Sequence, residues 1–359
     1  MNLDGTLSEE ETLIKDSFEE YCRRRYVPKY REMITTGEFP HHIMKDIADI
    51  ALPLSLPDGE GRPEEVILGI LSESMGFFEF PVPAFLTLHF AKLIPLIRDE
   101  DLRNTYTRRY RSGELVICGA FTEPGYGSDS ASISTSARRE GNEYVLNGEK
   151  AFVSSPGIAD AHIISARTAV LPSERKHQGI SLFITDAENK GIETYEMENM
   201  ASIFRGDFGG LRLDDVHISE GHLIGKENGG FYTLMKVLDV QCVHVALYAI
   251  GLARSAIEEA ILYSKTRKTF GHPISRYQAI SFRLAEDWSK LESVRALAYK
   301  ALAMQERGRD NTAECADVKS LGSTVAFEAV NHALQTGVLL DTSNPQHWKE
   351  NSVHPEASS

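Results

Sequence analysis

Phe121-Thr122-Glu123-Pro124-Gly125-Tyr126-Gly127-Ser128-Asp129 is the stretch on which the fold turns. A β-like apolar run ends at Ala120-Phe121 and meets a loop of small and hydroxylated residues. Small residues let a backbone approach a ligand, and hydroxyls with free N–H groups can hydrogen-bond a heteroaromatic ring or a phosphate. Taken alone, the string reads equally as a surface turn. Its meaning comes from what flanks it.

Upstream the texture is helical. Ser8-Glu9-Glu10-Glu11 matches a capping box, in which a hydroxyl and a carboxylate satisfy free N–H groups at a helix start. Leu13, Ile14, Phe18 and Tyr21 follow at helical spacing. Further helices are predicted around 41–50, 64–77 and 82–96. Downstream of about residue 115, short β-branched and aromatic runs alternate with turn residues. Asn147-Gly148, between Glu143-Tyr144-Val145-Leu146 and Glu149-Lys150-Ala151-Phe152-Val153, predicts a hairpin turn. Further strands are predicted at 161–167, 179–185 and 210–218. The block reads as a small antiparallel barrel or sandwich of about a hundred residues.

Helical texture returns at Gly230. Residues 231–266 form one apolar-periodic segment without proline, which Gly271-His272-Pro273 ends. Two more long helices are predicted, over 276–307 and 311–336, and the last helices should form a bundle. The expected class is α+β: a helical domain over 1–115, a β-domain over 116–222, a helical domain over 223–337, and a polar, disordered tail over 338–359.

Two more clusters bear on function. In Lys150-Ala151-Phe152-Val153-Ser154-Ser155 an aromatic and a hydroxyl alternate at strand spacing, so a ring could cover a flat cofactor while the hydroxyl bonds its edge. A core Phe and a solvated Ser would give the same string. Tyr263, Arg267, Phe270, Gly271 and Gln278 gather where the long helix ends. An Arg there also serves as a plain partner for the helix C-terminus. His244 reads as a packed core histidine, Tyr126 as a surface ring, and Trp288 and the methionines as core or interface.

Composition excludes several classes. The 359 residues are 42% hydrophobic and 25% charged, as in globular enzymes. With 52 acids against 38 bases the net charge is −14, and nucleic-acid binding needs clustered basic residues. Arg23-Arg24-Arg25, the only tight basic run, reads as a helix end. No stretch approaches the ~20 uninterrupted apolar residues of a membrane span. Met1-Asn2-Leu3-Asp4 carries no secretory signal. Cys22, Cys118, Cys242 and Cys315 lie far apart without CxxC spacing. That pattern argues against a metal site or a disulfide scaffold and suits a reducing cytoplasm.

Together the clusters and the helix–sheet–helix order resemble the acyl-CoA dehydrogenase family of flavoproteins, over roughly residues 8–337. Thr122-Glu123-Pro124 with Gly127-Ser128-Asp129, and Arg267 with Phe270-Gly271, are similar to that family's motifs. Leu213-Asp214-Asp215-Val216 and Leu223-Ile224-Gly225 resemble its last strand and the loop into its long helix. The resemblance implies an FAD enzyme that removes α- and β-hydrogens from an acyl thioester of CoA or an acyl-carrier protein. Phe121, Thr122, Gly127 and Ser128 would contact the flavin, and Ser128 and Asp239 the substrate. Phe152 would stack where the family usually has Trp, and Ser154 would bond the ring edge. Arg267, Phe270 and Gln278 would hold the adenosine diphosphate half of FAD in a neighbouring subunit, implying a homodimer or homotetramer. An electron-transfer flavoprotein is the implied acceptor, and secondary metabolism the expected setting.

The sequence departs from the family at the base that takes the α-proton. Gln241 occupies one family position for that Glu, and Cys242 stands where an Arg is usual. An amide cannot accept a proton at neutral pH. The other family position lies in a segment that residues 338–359 do not resemble. We expect a one- or two-base shift near residues 336–340 to have replaced it. In the shifted frame Leu340-Asp341-Thr342 permits Gly-Tyr, and 347–351 permit Leu-Glu and then Arg-Lys-Phe. DNA sequence across those codons tests this. Two other readings stand beside the dehydrogenase: a flavin monooxygenase on the same fold, which needs no α-proton base, and a non-catalytic paralogue that binds a thioester or a partner helix.

Overall fold

The computed structural model describes residues 7–52, 56, 65–198 and 203–337. The tail and the frame shift expected beyond 337 lie outside the described residues. The chain divides into two compact units, each discontinuous in sequence.

The first unit is Met1–Thr35, Glu64–Phe80 and Asp239–Ser359. Helix α1 (Glu9–Tyr21) opens on the predicted capping box: Ser8 N–H donates to Glu11 Oε2 at 2.6 Å, and Glu11 N–H to Ser8 Oγ at 3.2 Å. Arg23-Arg24-Arg25 ends this helix in a π-helical turn, Cys22–Tyr26. A short helix α2 (Tyr30–Thr36) follows. After α3 (His42–Asp46), which belongs to the other unit, comes α4 (Glu65–Phe77), buried nearly throughout.

The long helices are α7 (Gly230–Thr266), α8 (Gln278–Glu306) and α9 (Thr312–Thr336). Their apolar stripes form one core, including Val243, Leu247, Ile250, Leu291, Leu302 and Val318. Each such side chain contributes about 1.5–3 kcal/mol when fully buried. Helices α4 and α7 approach backbone to backbone. A Cβ on Gly76 would lie 1.9 Å from Tyr248 O, and one on Gly251 would lie 2.0 Å from Glu73 O. Helix α7 is long and apolar enough, by length and composition alone, to cross a membrane. Yet 61% of its most apolar window is buried inside the protein, as in a core helix.

The second unit is Thr36–Pro63 and Pro81–Leu238. Helices α3, α5 (Val82–Phe90) and α6 (Glu100–Arg111) accompany an eight-stranded sheet. Its strands are β1 (Ile117–Ala120), β2 (Ser136–Glu140), β3 (Glu143–Ser154), β4 (Ala161–Arg167), β5 (Ile180–Asp186), β6 (Ile192–Glu196), β7 (Phe208–Ser219) and β8 (Leu223–Ile224). The order is β6-β7-β3-β2-β4-β5-β8, with β1 beside β4. The sheet is mixed rather than purely antiparallel, because β1 and β2 both run parallel to β4.

A second correction concerns Asn147-Gly148. It is not a hairpin turn but lies inside β3, opposite a bulge of β7, where Leu146 pairs with Val216 and Gly148 with Leu213, so that Asp214 and Asp215 both face Asn147. Gly148 has φ +149, and a Cβ there would sit 2.7 Å from Thr135 Cα. The hairpin turn lies earlier, at Gly141 (φ +64), between Glu140 and its partner Glu143.

Candidate active site

Within the second unit the two sequence clusters converge where the loop after β1 is bonded to the end of β3. The loop after β1 is a tight bridge. Glu123 N–H donates to Tyr126 O at 3.2 Å, and Tyr126 N–H returns to Glu123 O at 3.0 Å. Pro124-Gly125 makes the turn between them, and Gly125, Gly127 and Ser128 are exposed. A Cβ on Gly125 or Gly127 would meet nothing within 4 Å, so the loop borders open space. Phe121 is half-buried, its ring edge-on to Phe90 at 5.8 Å. Thr122 is half-buried too, and its carbonyl accepts from Ala151 N–H at 2.9 Å. That bond ties the loop to β3.

Strand β3 ends irregularly. Its register slips again between Lys150 and Val153, and Phe152 within the slip has φ +55. For a bulky L-residue that left-handed backbone costs about 1–2 kcal/mol. The ring is nonetheless 58% exposed, with Phe208 as a tilted neighbour at 6.4 Å. A strained backbone that holds an aromatic out in solvent gains little within the subunit. The Phe152 ring face is open to solvent. Ser154 lies half-buried two residues on.

Beneath both segments lies an ion pair to which the sequence reading gave no role. Lys150 is fully buried, and its ammonium donates to Glu123 Oε1 at 2.8 Å, Phe121 O at 3.1 Å and Ser165 Oγ at 3.3 Å. Glu123 also accepts from Ser134 N–H and Oγ, both at 2.7 Å, and from Thr135 N–H at 2.9 Å. Burial works to raise the Glu123 carboxyl, but Lys150 and the Thr135 and Ser134 donors override it and hold it at about 2. Burial lowers the Lys150 ammonium to about 8, with Glu123 opposing. Both residues stood in the quoted motifs. Only their spacing in the fold, not any local pattern, could reveal the pairing.

Asp129 is exposed and held by Lys176, whose ammonium donates to both carboxylate oxygens at 2.8–2.9 Å. The Lys176 hydrogen bond holds the Asp129 carboxyl below its ordinary value.

Within the first unit, Arg267 directly follows α7, Phe270 stands at the tip of the connection and Gln278 opens α8. The chain turns through a two-stranded ribbon, β9 (Lys268–Thr269) against β10 (His272–Pro273), into α8. The ribbon is closed by Ile274 N–H to Arg267 O at 2.9 Å and Tyr277 O–H to Thr269 O at 3.1 Å. Its tip is Phe270-Gly271, at φ +47 and +79. Phe270 is 91% exposed, a second strained aromatic offered to solvent.

Gln241 lies on α7, buried, and its Oε1 has no hydrogen-bond partner among the described residues. Asp239 and Cys242 beside it are half-buried. His244 is fully buried, with Nε2 3.1 Å from Glu65 O, as a core histidine should be. Another group that sequence reasoning missed is the Glu73 carboxylate on α4. Arg295 Nε lies 2.7 Å from both its oxygens, Tyr299 O–H donates at 2.8 Å, and Arg254 pairs with it as well.

Within the second unit, Phe152 offers a ring face, Thr122, Ser128 and Ser154 offer hydroxyls, and the Gly125–Gly127 loop offers open backbone, a set that suits a flat heteroaromatic ring. Within the first unit, taken by itself, Arg267 carries paired N–H donors of the kind that bind phosphate.

Comparison with known proteins gives the same direction. Residues 118–216 match the family model "Acyl-CoA dehydrogenase, middle domain", and residues 228–338 match "Acyl-CoA dehydrogenase, C-terminal domain". The chain is 30% identical over 335 residues to the 3-(aryl)acrylate reductase of Clostridium sporogenes, covering 91% of this chain and 88% of that protein. It is 30% identical over 336 residues to an acyl-CoA dehydrogenase of Bacillus subtilis, covering 92% and 88%. A solved structure described as the electron transferring flavoprotein of Acidaminococcus fermentans superposes with a TM-score of 0.83 at 26% identity, covering 92% of this chain and 88% of the other.

Proposed function

Because the chain belongs to the acyl-CoA dehydrogenase family of oxidoreductases acting on CH–CH bonds, we propose that it carries out FAD-dependent α,β-dehydrogenation of an acyl thioester. The acyl carrier in this reading is CoA or a carrier protein, and the setting is secondary metabolism in the cytoplasm. The observation that carries the reading is Phe152: an exposed aromatic on left-handed backbone, tied through β3 to a loop of glycines and hydroxyls. The four unbridged cysteines agree with a reducing compartment.

FAD, when bound, supplies the hydride acceptor. Phe121, Thr122, Gly127, Ser128, Phe152 and Ser154 would hold its ring and ribityl chain, with Ser128 also facing the thioester. Arg267, Phe270 and Gln278 would hold the adenosine diphosphate half of a cofactor seated in a second copy. That sharing makes a homodimer or homotetramer part of the reading. Asp239 would meet the carrier end of the substrate. The electron-transferring flavoprotein among the structural neighbours supports an acceptor of that kind.

Gln241 favours a second reading. An amide there does not take an α-proton, and a flavin monooxygenase needs no such step. The test is the visible absorption spectrum of the purified protein, before and after anaerobic addition of a short acyl thioester. A yellow protein that bleaches supports the dehydrogenase. A yellow protein that stays yellow, and whose chemically reduced form consumes oxygen with substrate turnover, supports the monooxygenase. A protein that takes up no added FAD overturns both.

A further inference from the structure

Resting on the FAD reading above, we propose that Lys150 and Glu123 are positioning residues for the cofactor, setting the two chain segments that meet the ring. Lys150 lies two residues before Phe152 on β3, and Glu123 follows Phe121-Thr122 directly. Every segment assigned to the flavin in the second unit therefore departs from this one pair.

The geometry carries the argument. An ammonium has three donors, and here each has an acceptor: Glu123 Oε1, Phe121 O and Ser165 Oγ. Phe121 O is thereby drawn toward β3, and Thr122 O is drawn the same way by Ala151 N–H. With both carbonyls facing the sheet, the loop beyond is pinned from one side. Glu123 reaches across to Ser134 and Thr135, so the ammonium, the loop and the segment leading into β2 form one closed network. On the other side of Lys150, the register slip that throws Phe152 outward begins at its pairing with Leu211.

Energetics separate positioning from plain stabilisation. Burying a charged pair is often no better for stability than well-packed apolar residues of similar volume. What apolar packing cannot do is fix the direction of a backbone carbonyl. A fully buried pair that holds the Phe121 carbonyl next to an otherwise open loop is thus better explained by geometry than by stability.

The experiment compares the wild type with Lys150→Met, the double variant Lys150→Met/Glu123→Gln, and Ser165→Ala. Each is stripped of flavin and titrated with FAD. Three readouts are taken: the dissociation constant from flavin fluorescence, the visible circular dichroism of bound flavin, and the melting temperature of the flavin-free protein. Lys150→Met leaves Glu123 buried without its cation and should lower the melting temperature. The double variant should recover part of that loss, since the Gln amide keeps only one acceptor for the Ser134 and Thr135 donors, yet still bind FAD about tenfold more weakly, with altered dichroism, because the tether to Phe121 O is not restored. Ser165→Ala keeps both charges. If the other two fail to fold it decides alone, with an altered dichroism at unchanged melting temperature supporting the proposal. Recovery of FAD affinity together with stability in the double variant, or wild-type dichroism in all folded variants, overturns it. A wild type that binds no FAD fails the cofactor reading instead, and is seen first.

Discussion

Asn147 and Asp215 grip each other across β3 and β7 by two hydrogen bonds: Asn147 Nδ2 donates to Asp215 Oδ1 at 3.0 Å, and Asp215 N–H donates to Asn147 Oδ1 at 3.0 Å. The pair locks the bulge of β7 opposite Asn147-Gly148, where Asp215 itself has φ +46. The glycine is required by its φ and by Thr135 packed against it. Gly148→Ala should therefore lower stability by about 2 kcal/mol or more. Gly127→Ala, with open space at its Cβ, should change stability by less than about 1 kcal/mol. Urea unfolding of the two variants checks the contrast, and equal losses would contradict it.

Phe152 leads to the opposite kind of prediction. Phe152→Gly relieves a left-handed backbone and gives up a ring that is 58% exposed. The flavin-free protein should melt at the same temperature or a few degrees higher. FAD affinity should fall about tenfold, the scale of one lost aromatic stacking contact. A variant less stable than wild type but unchanged in FAD binding would count against the ring's proposed role.

The Glu73 cluster predicts a large penalty for half-removal. Arg295 is 2% exposed and faces Glu73 through both carboxylate oxygens. Arg295→Met removes one of the two arginines on that buried carboxylate and should cost about 3 kcal/mol. Glu73→Leu combined with Arg295→Met should not restore stability, because Arg254 then loses the same carboxylate; Glu73→Leu with both Arg295→Met and Arg254→Met should recover more. Thermal unfolding of the single, double and triple variants measures it.

Glu123 sets part of the acid limit of stability. Its folded carboxyl stands at about 2, below the ordinary value of 4.5. A depressed folded pKa gives stability that is complete above the unfolded value and is lost as pH falls from 4.5 toward 2. Lys150 is lowered to about 8 from 10.5, so the folded form releases its proton first and this group favours folding progressively from pH 8 to 10.5. In Glu123→Gln the acid part of the profile should flatten. A wild-type slope between pH 4.5 and 2 in that variant would disprove the assignment.

Gln241→Glu places a carboxylate at a position where the family resemblance puts a base, on a side chain whose Oε1 has no partner among the described residues. Under the dehydrogenase reading, anaerobic bleaching by a short acyl thioester should quicken by about 10²–10⁴-fold. Stopped-flow absorbance measures the rate, and no gain in a variant that still binds FAD would argue for the monooxygenase.

Several features were legible because they are local. The capping box at Ser8 and Glu11 forms as read, since its donors and acceptors lie within one helical turn. The long helices begin and end within a few residues of their predicted bounds, because apolar periodicity and the Gly271-His272-Pro273 break act over neighbours. The Asn147-Gly148 step failed by the same logic. Asn-Gly suits a tight turn when nothing else competes, but here pairing with β2 and β7 kept it inside the strand, opposite a bulge of β7 and against Thr135.

The helix–sheet–helix order and the bounds of the long helices were thus legible in the chain's own pattern, because propensity and periodicity depend on adjacent residues. The pairs Lys150–Glu123 and Glu73–Arg295 were decided by the tertiary structure alone. Their members stand 27 and 222 residues apart. A charge enters the core only when folding delivers its counter-charge to the same place, and no local spacing encodes that meeting.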